Sequence, residues 1–441
     1  MKIQRLSVSG FRNIKNVTVD ASGITVLAAT NNFGKSNVID AISLGMRFIN
    51  MSPQERDMQF GIVRNMPLVP ALSREPYRFT VSFDVEGLSE YRHAEYSFSF
   101  LWERDDGTGA KIVDETLVIT PEGGKRGTAY LKRREEKYRK GYGTRSWRNI
   151  SLDTDQLAID VLTAVDDIGI NPIIRDIKRL KVFLYHDIDP AEIGRMRMAP
   201  IALAGSRESA AFADDPEFPH ALYRLKEEYP DRYDGFTSDV LELFPEFKGL
   251  SVERYEIASK ERERLKEMLG GTDDSEDEAI PFRVRDDLYR IVIDSQWLNQ
   301  PLDISYMSDG TSRVIWLIAN TIFASIDGGS FIAIEELETS VHPRLMKGLL
   351  EILDEERGDI PILITSHSPY LVQYLKLGNV YLGAGDTDGA AVFGRISPAK
   401  QGRFVDAARA NGMAPGEYIF ELMSGDEDAQ RLLEAYLEDP K

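Results

Sequence analysis

The residues best suited to chemistry lie near the start of the chain, in the segment Ala29-Thr-Asn-Asn-Phe-Gly-Lys-Ser36. A loop that binds phosphate needs backbone N–H groups around the β-phosphate, a lysine that reaches the β- and γ-oxygens, and a hydroxyl for Mg²⁺. Gly34, Lys35 and Ser36 supply these features, and Lys35 would also act in catalysis. The segment predicts a site for ATP and Mg²⁺, with nucleotide contacts from the following residues: Asn31, Asn32, Gly34, Lys35, Ser36 and Asn37.

Ala29 is a departure, because loops of this kind usually begin with glycine. If the position requires a positive φ, the methyl group costs on the order of 1 kcal/mol, and otherwise the cost is small. The alternative to a phosphate loop is a chance Gly-Lys-Ser in an ordinary turn. The apolar run 24–28 before the segment and the helical pattern from Asn37 onward favour the phosphate loop.

A pair of carboxylates follows the apolar run in Phe331–Pro343, whose sequence is FIAIEELETSVHP. A buried strand delivers polar residues to the edge of a sheet in this way. Glu335 would then hold Mg²⁺, directly or through water, and Glu336 would orient and deprotonate the attacking water. The alternative is an ordinary solvated strand end.

One of the five histidines, His367, follows the next apolar run along the chain, in ITSHSP. At a strand end it could contact the γ-phosphate and report its presence. The alternative is a buried strand-end histidine with no ligand.

A second anion site is predicted in the segment 306–312, YMSDGTS, which precedes an apolar helix. Ser308 and Gly310 at a helix start would offer exposed N–H groups to a phosphate. Serine is also a favoured helix N-cap, which is the alternative for Ser308.

The predicted elements change along the chain. Alternating aromatic and β-branched residues from about 78 to 152 predict an antiparallel sheet. Most of residues 191–269 has a helical pattern, and an acidic loop follows at 270–278. From 289 onward, apolar strands alternate with helices, which predicts a largely parallel sheet.

Composition excludes several classes of protein. The 441 residues include 53 Lys and Arg against 72 Asp and Glu, a net charge of −19, so a general polycation is excluded. There are no cysteines, which excludes disulfides and Cys-based zinc sites. No signal peptide or membrane span is recognisable, so a cytoplasmic protein is expected.

One stretch of the chain is strongly basic, although the chain as a whole is acidic. Lys125–Arg148 contains ten basic and two acidic residues, interleaved with aromatic residues. This composition suits phosphate contacts combined with base stacking, so DNA or RNA is a candidate partner. The alternatives are a solvated hairpin and a docking site for an acidic protein.

The order of phosphate loop, S-D-G, paired glutamates and histidine resembles the ATP-binding-cassette (ABC) heads of the SMC, RecF and OLD class. FRNIKNV, NNFGKSN, MSDGTSR, IEELE and ITSHSP resemble the OLD-like branch (overcoming lysogenization defect) in particular. The resemblance implies an α/β, two-lobed ABC-type ATPase head: a mixed or antiparallel β lobe plus a largely parallel sheet flanked by helices, with a helical insertion. It also implies a homodimer or larger homo-oligomer, in which the signature of one subunit, with Ser308 and Gly310, closes over ATP held by the other.

The implied domains follow the chain. Residues 1–188 would form lobe I with the phosphate loop and an antiparallel β subdomain, and 189–288 a mainly helical insertion with the acidic loop. Residues 289–400 would form lobe II with the signature, the paired glutamates (Walker B) and the histidine loop, and 401–441 a helical tail.

Three further departures from the family pattern make slow hydrolysis the expectation. Glu335 stands where many relatives have aspartate, and Leu337 where proline is frequent. The glutamine that joins the lobes has no clear position; Gln54 and Gln59 are candidates.

No heptad arm of the SMC type and no Toprim nuclease domain is recognisable. Stand-alone heads of this kind resemble the ATPase subunits of the PARIS and Septu anti-phage systems, which implies a sensor or scaffold that controls a separately encoded effector, expected to be a nuclease. The alternatives are a RecF-like repair ATPase that clamps DNA and an ATP-binding scaffold with little turnover.

Overall fold

The fold is taken from a computed structural model, which describes residues 1–21, 23–104, 106–124, 126–141, 146–149, 151–162, 170–185, 193, 201–203, 211–215, 217–260, 264, 282–284, 287–385 and 389–438. The strands are Lys2–Phe11 (β1), Ile14–Asp20 (β2), Ile24–Ala28 (β3), Tyr77–Asp84 (β4), Tyr91–Leu101 (β5), Lys111–Pro121 (β6), Thr128–Arg134 (β7), Lys137–Lys140 (β8), Arg148–Asn149 (β9), Val182–Tyr185 (β10), Ile201–Leu203 (β11), Phe247–Glu256 (β12), Phe282–Val284 (β13), Asp287–Ser295 (β14), Leu302–Asp303 (β15), Phe331–Ile334 (β16), Ile362–Ser366 (β17), Val380–Gly385 (β18) and Ala391–Arg395 (β19).

The helices within the described residues are Lys35–Asn50 (α1), Pro53–Phe60 (α2), Ala158–Leu162 (α3), Asn171–Lys178 (α4), Phe218–Glu228 (α5), Pro230–Leu243 (α6), Asp309–Ile326 (α7), Pro343–Glu356 (α8), Pro369–Val372 (α9), Gln401–Ala410 (α10), Pro415–Ser424 (α11) and Glu427–Glu434 (α12). None of these helices is long and apolar enough to cross a membrane. The cytoplasmic location stays a prediction.

The described residues divide into two compact units that are discontinuous in sequence. The first contains Met1–His186, Gly329–Leu337 and Asp359–Lys441, and the second contains Asp187–Gly328 and Glu338–Gly358. The segments predicted at 1–188, 189–288, 289–400 and 401–441 follow the chain instead, and they stay predictions.

One sheet of fourteen strands, in the order β10-β16-β17-β3-β18-β19-β2-β1-β4-β5-β6-β7-β8-β9, lies in the first unit. Its first five strands are parallel. β3, β16 and β17 are buried at every residue, which explains why they read as continuous apolar runs rather than alternating ones. The prediction of a mixed sheet with a parallel part is confirmed.

The antiparallel part of the same sheet contains, in this order, β2, β1 and then β4 to β9. Its strands alternate, and their buried aromatic residues face helix α1, where Phe48 stacks on Phe98 at 5.0 Å and on Phe100 at 4.9 Å between ring centroids. Gly45 permits this packing, since a Cβ there would lie 2.1 Å from the ring of Phe79. The prediction of an antiparallel sheet from about 78 to 152 is confirmed up to Asn149.

The second unit contains helices α5 to α8 and a sheet in the order β12-β14-β15. The prediction of helix across 191–269 is wrong at Phe247–Glu256, which is strand β12 and pairs antiparallel with β14. Leu250 and Val252 are buried and alternate with less buried neighbours, as in a strand with one face in the core. The pairing with β14 outweighs the helix-forming residues nearby in the sequence. The acidic loop at 270–278 lies outside the described residues.

A buried arginine closes the C-terminal end of helix α1. Arg56, on α2, is only 1% exposed, and its guanidinium donates to the carbonyl oxygens of Phe48 and Ile49, both at 2.9 Å. It also donates to the carboxylate of Asp160 on α3 at 2.6 Å. The last carbonyl groups of a helix have no partner within it, so this guanidinium satisfies groups that would otherwise be buried without one.

A buried carboxylate closes the N-terminal end of α3. Glu115, on β6, accepts hydrogen bonds from the backbone N–H groups of Ala158 and Ile159 and from the hydroxyl of Tyr96. Burial raises the pKa of Glu115, and the two backbone N–H groups and the nearby Arg133 oppose that rise. The first turn of the short helix α3 is thus held by two buried charged groups, Glu115 and Arg56.

Candidate functional site

Three neighbouring parallel strands, β16, β17 and β3, end at one edge of the sheet. Because their carboxyl ends point the same way, the segments that follow them meet there. They line a cleft of about 550 Å³. Its lining residues are Asn31, Asn32, Phe33, Gly34, Lys35, Ser36, Asn37, Glu336 and His367. The structure therefore brings together eight residues that the sequence selects; their individual roles stay predictions.

The loop between β3 and α1 has the backbone of an anion site. Asn32 and Gly34 are left-handed, with φ of 60° and 116°. A side chain at Gly34 would be strained by this φ, and its Cβ would lie 2.7 Å from the Oδ1 of Asn13. Within this described segment, no side chain caps the helix at Gly34 and no carboxylate lies in its first turn. The N–H groups and the helix dipole therefore favour an anion at this end.

Lys35 is buried beneath the loop. Its Nζ donates to the carbonyl oxygens of Ala29 at 2.9 Å and Thr30 at 3.1 Å. The ammonium group is thereby held close to the converging N–H groups.

Asparagine and arginine side chains from the preceding hairpin brace the loop. Asn13 donates to the carbonyl of Phe33 at 3.0 Å and accepts from the Nδ2 of Asn37 at 2.7 Å. Arg12 donates to the Oδ1 of Asn37 and to the carboxylate of Asp40, both at 2.7 Å. Arg12 and Asn13 were not predicted as site residues, although FRNIKNV, which contains them, carried part of the family resemblance.

Ala29 takes a backbone conformation in which a methyl group is not strained, because its φ is not positive. The methyl group instead requires space, and Gly383 on β18 provides it: a Cβ at Gly383 would lie 2.7 Å from the Cβ of Ala29 and 2.7 Å from the ring of Phe33. The cost of about 1 kcal/mol expected for a positive φ therefore does not apply to Ala29, and the small cost does.

Glu336 and His367 face each other across the cleft. Their side chains are 48% and 45% exposed, and the Oε1 of Glu336 lies 3.7 Å from the Nδ1 of His367. The alternative of a buried histidine is therefore wrong.

Glu336 has a φ of 45°, and its N–H donates to the Oγ1 of Thr365 at 3.1 Å. A left-handed non-glycine residue costs on the order of 1 kcal/mol, and here the hydroxyl of Thr365 holds it in place.

Glu335 is half-buried at the end of β16, where its N–H donates to the carbonyl of Tyr185 at 2.9 Å. It is not among the residues that line the cleft. No cluster of three acidic or histidine ligands occurs in the described part of the chain. An Mg²⁺ ion bound with a nucleotide needs less, since phosphate oxygens and water supply most of its ligands. The exposed hydroxyl of Ser36 in the cleft fits that requirement, and the role of Glu335 stays a prediction.

Ser308 and Gly310 belong to the second compact unit. Ser308 is the N-cap of helix α7: its hydroxyl accepts from the N–H of Thr311 at 3.3 Å. The N-cap alternative is therefore confirmed. A Cβ at Gly310 would lie 2.0 Å from the carbonyl oxygen of Ser340, so only glycine fits there. Ser308 remains exposed. Its contact with a nucleotide held by another copy stays a prediction.

The other departures are placed as follows. Leu337 is fully buried. Gln54 and Gln59 both lie on α2, and neither lines the cleft. The position of a lobe-joining glutamine therefore stays open.

Comparison with known proteins gives one family match. Residues 195–373 match a family described as "AAA domain, putative AbiEii toxin, Type IV TA system". The matched part includes Ser308, Glu335, Glu336 and His367 but not the loop 29–37. No curated protein sequence matches the chain.

Solved structures with a similar chain include three SMC head domains. One, bound to the C-winged helix domain of ScpA, is 14% identical with a TM-score of 0.47, and 91% of this chain and 100% of that chain are covered. A head from Thermotoga maritima is 12% identical with a TM-score of 0.43, covering 90% and 100%. A head from Pyrococcus furiosus with an extended coiled coil, bound to the C-terminal domain of ScpA, is 12% identical with a TM-score of 0.45, covering 92% and 99%. The family match and the loop geometry point to a P-loop ATPase.

Proposed function

We propose that this chain binds and slowly hydrolyses ATP as an ABC-type ATPase of the OLD-like branch, and that ATP joins two or more copies of it. The observation that supports this most strongly is the cleft, where the phosphate loop, Glu336 and His367 meet at the ends of adjacent parallel strands.

Each residue has a defined task in this proposal. The N–H groups after Gly34 and the ammonium group of Lys35 bind the β- and γ-phosphates. Glu336 orients the attacking water and accepts its proton, while His367 donates a hydrogen bond to the γ-phosphate. Ser36 and Glu335 would hold Mg²⁺, which when bound neutralises charge on the phosphate oxygens.

Dimerisation is supported by the second unit. The helix that begins after Ser308 presents an exposed N-terminus, as the family resemblance requires of a signature that closes over ATP in another copy. Asp309 in the first turn repels an anion at this helix start. Binding of ATP there therefore requires the cations of the partner copy's phosphate site to offset that repulsion. Nucleotide and self-association are therefore coupled in this proposal.

The biological role is the finer part of the proposal. An ATP-loaded assembly would sense an invading phage and hold or release a separately encoded effector, a nuclease in the PARIS- and Septu-like arrangement. The matched family is described as a putative toxin of a type IV toxin–antitoxin system, which supports a role in a system of two or more components that includes a toxic activity. The alternative of a scaffold with little turnover loses part of its support, because Ala29 introduces no backbone strain.

Steady-state ATPase and nucleotide-binding measurements test the enzymatic part. Glu336→Gln should lower turnover by roughly 10²- to 10⁴-fold and keep ATP binding, because the amide cannot accept the proton of water. Lys35→Ala should lose binding. Glu427→Gln, an exposed glutamate on α12, is the matched control and should behave as wild type. Equal turnover in wild type and Glu336→Gln would refute the catalytic assignment.

Light scattering after size exclusion tests the assembly. Glu336→Gln with ATP should form dimers or larger species, and adding Ser308→Arg should return it to monomers, with only a small fall in thermal midpoint from loss of the helix N-cap. An ATP-independent oligomeric state in both proteins would contradict the sandwich arrangement.

Purification of Glu336→Gln together with the products of neighbouring genes tests the role. A co-purifying nuclease supports the defence proposal. Bound DNA without any protein partner would favour the alternative of a RecF-like repair ATPase.

A further inference from the structure

The end of the large sheet farthest from the cleft strands consists of β7, β8 and β9, which contain much of the basic stretch. Arg139 lies opposite Lys132, and Lys137 lies opposite Arg134 in the antiparallel register of β7 and β8. Directly opposed residues in a β-ladder project from the same face. These four cations therefore form one face, here called the basic face.

Not every basic residue of the stretch belongs to the basic face. Arg133 alternates to the other side, is only 3% exposed, and donates to the carbonyls of Glu135 at 3.0 Å and Gln156 at 2.5 Å. Its charge lies beside buried Glu115 and serves the fold. Lys125 and Arg145 lie outside the described residues.

An indole ring completes the basic face. Trp147 is 39% exposed, and the guanidinium groups of Arg134 and Arg139 lie 5.9 Å and 5.4 Å from its ring centroid. Cation–π contacts of this kind hold guanidinium groups in place without neutralising them. The Nε of Arg139 is buried and has no acceptor within the described residues.

The charges of the basic face are not neutralised by nearby acids. Asp114, opposite Arg134 in register, is 3.9 Å from Arg78, and Glu135 is 3.3 Å from Lys111. In a chain with a net charge of −19, carboxylates are abundant, yet none within the described residues forms an ion pair with these four cations. Four clustered cations repel one another, and a polyanionic ligand relieves that repulsion.

We propose that the basic face binds single-stranded nucleic acid, with phosphates on its lysine and arginine side chains and a base stacked on Trp147 or on the adjoining guanidinium planes. An exposed indole between cations favours a ligand with both phosphates and unstacked bases. A duplex hides its base faces, and the Asp and Glu side chains of an acidic peptide have no aromatic plane to stack on the indole. This surface is separate from the nucleotide cleft, so the inference holds whether or not the chain hydrolyses ATP.

Fluorescence anisotropy with labelled 20-nucleotide dT and rU strands tests the proposal, using the full chain and a Lys35→Ala variant, both without ATP. Both proteins should bind. The slope of log K against log salt should be roughly −3 if about four phosphates are contacted. Lys132→Glu with Arg134→Glu should weaken binding by at least tenfold and flatten that slope.

The matched control is Arg403→Glu with Arg409→Glu, two exposed arginines on α10 that give the same change in net charge. It should bind nearly as wild type. Trp147→Ala should weaken binding by roughly tenfold, and Trp147→Phe should restore most of it because a phenyl ring also stacks. The dT and rU arms decide between DNA and RNA as the preferred strand.

Three results would overturn the proposal. They are equal losses in the basic-face and control variants, unchanged binding in Trp147→Ala, and stronger binding of poly-glutamate or a blunt duplex than of either single strand. Circular dichroism of each variant, with an unchanged thermal midpoint, shows that a loss of binding does not come from unfolding.

Discussion

The two ends of helix α1 solve the same problem in opposite ways. Every helix leaves unpaired N–H groups at its start and unpaired carbonyl groups at its end. At the end of α1, Arg56 is buried and donates to Phe48 and Ile49. At the start, Gly34 provides no side-chain cap and the first turn contains no acidic residue.

The two ends of helix α1 therefore differ in purpose: one contributes to stability and the other is suited to binding. A helix end closed by a buried side chain contributes to stability and has no capacity left for a ligand. A helix end left open beside a cleft gives up that stabilisation and keeps its N–H groups and dipole for an anion. The contrast makes three predictions, given from the largest expected effect to the smallest.

Arg56→Ala tests the closed end. It removes the guanidinium from two helix carbonyls and from Asp160, so the free energy of unfolding should fall by about 3–5 kcal/mol. The measurement is urea denaturation followed by fluorescence. Arg47→Ala, an exposed arginine in the last turn of the same helix, is the control and should change it by less than about 0.5 kcal/mol. Similar losses in both would mean that Arg56 does not close the helix.

Gly34→Ala tests the backbone of the open end. A φ of 116° disfavours alanine by about 1–2 kcal/mol, and its Cβ would displace the side chain of Asn13. Stability should fall by that amount and ATP affinity by at least roughly tenfold. Gly402→Ala, at a helical glycine with open space around its Cβ, should instead be neutral or gain up to about 1 kcal/mol. An unchanged ATP affinity in Gly34→Ala would contradict the phosphate-loop assignment.

Ser36→Asp tests the idea that the open end trades stability for binding. A carboxylate in the first turn should stabilise the nucleotide-free protein by about 0.3–1 kcal/mol, seen as a higher thermal midpoint, while it repels ATP. Ser36→Asn is the neutral control, because it also lacks the hydroxyl but adds no charge. ATP binding is measured with a chelator present, so that a lost Mg²⁺ ligand does not contribute to the difference. A lower midpoint in Ser36→Asp than in Ser36→Asn would break the comparison.

The open end was predictable from sequence, and the closed end was not. Ile24–Ala28 is a continuous apolar run and the helix that follows shows local periodicity. Polar residues at strand ends point to an edge of the sheet, so Glu336 and His367 could be selected. Arg56 lies in PQERDMQF, which reads as a solvated helix. Only the packing of α2 against α1 and α3 shows that this one charge is buried.

Pairings distant in sequence account for the other differences. Gly383 makes room for Ala29, but no local pattern connects two positions so far apart along the chain. Strand β12 was predicted as helix because its neighbourhood is rich in Glu, Lys and Arg, and its partner β14 lies beyond the acidic loop. In both places a tertiary contact decides the outcome over local preference.

The position of β3 in the sheet has a consequence for folding during synthesis. Its two neighbours are β17 and β18, so that Ile24 pairs with Ile362 and Val26 with Val380, residues synthesised more than 300 positions later in the chain. Until then β3 presents two unpaired apolar edges, which favour aggregation or chaperone binding. Contacts of such sequence separation form slowly. The phosphate loop is thus synthesised long before the strands on both sides of β3 are available, and in the proposed function ATP could stabilise only the completed fold.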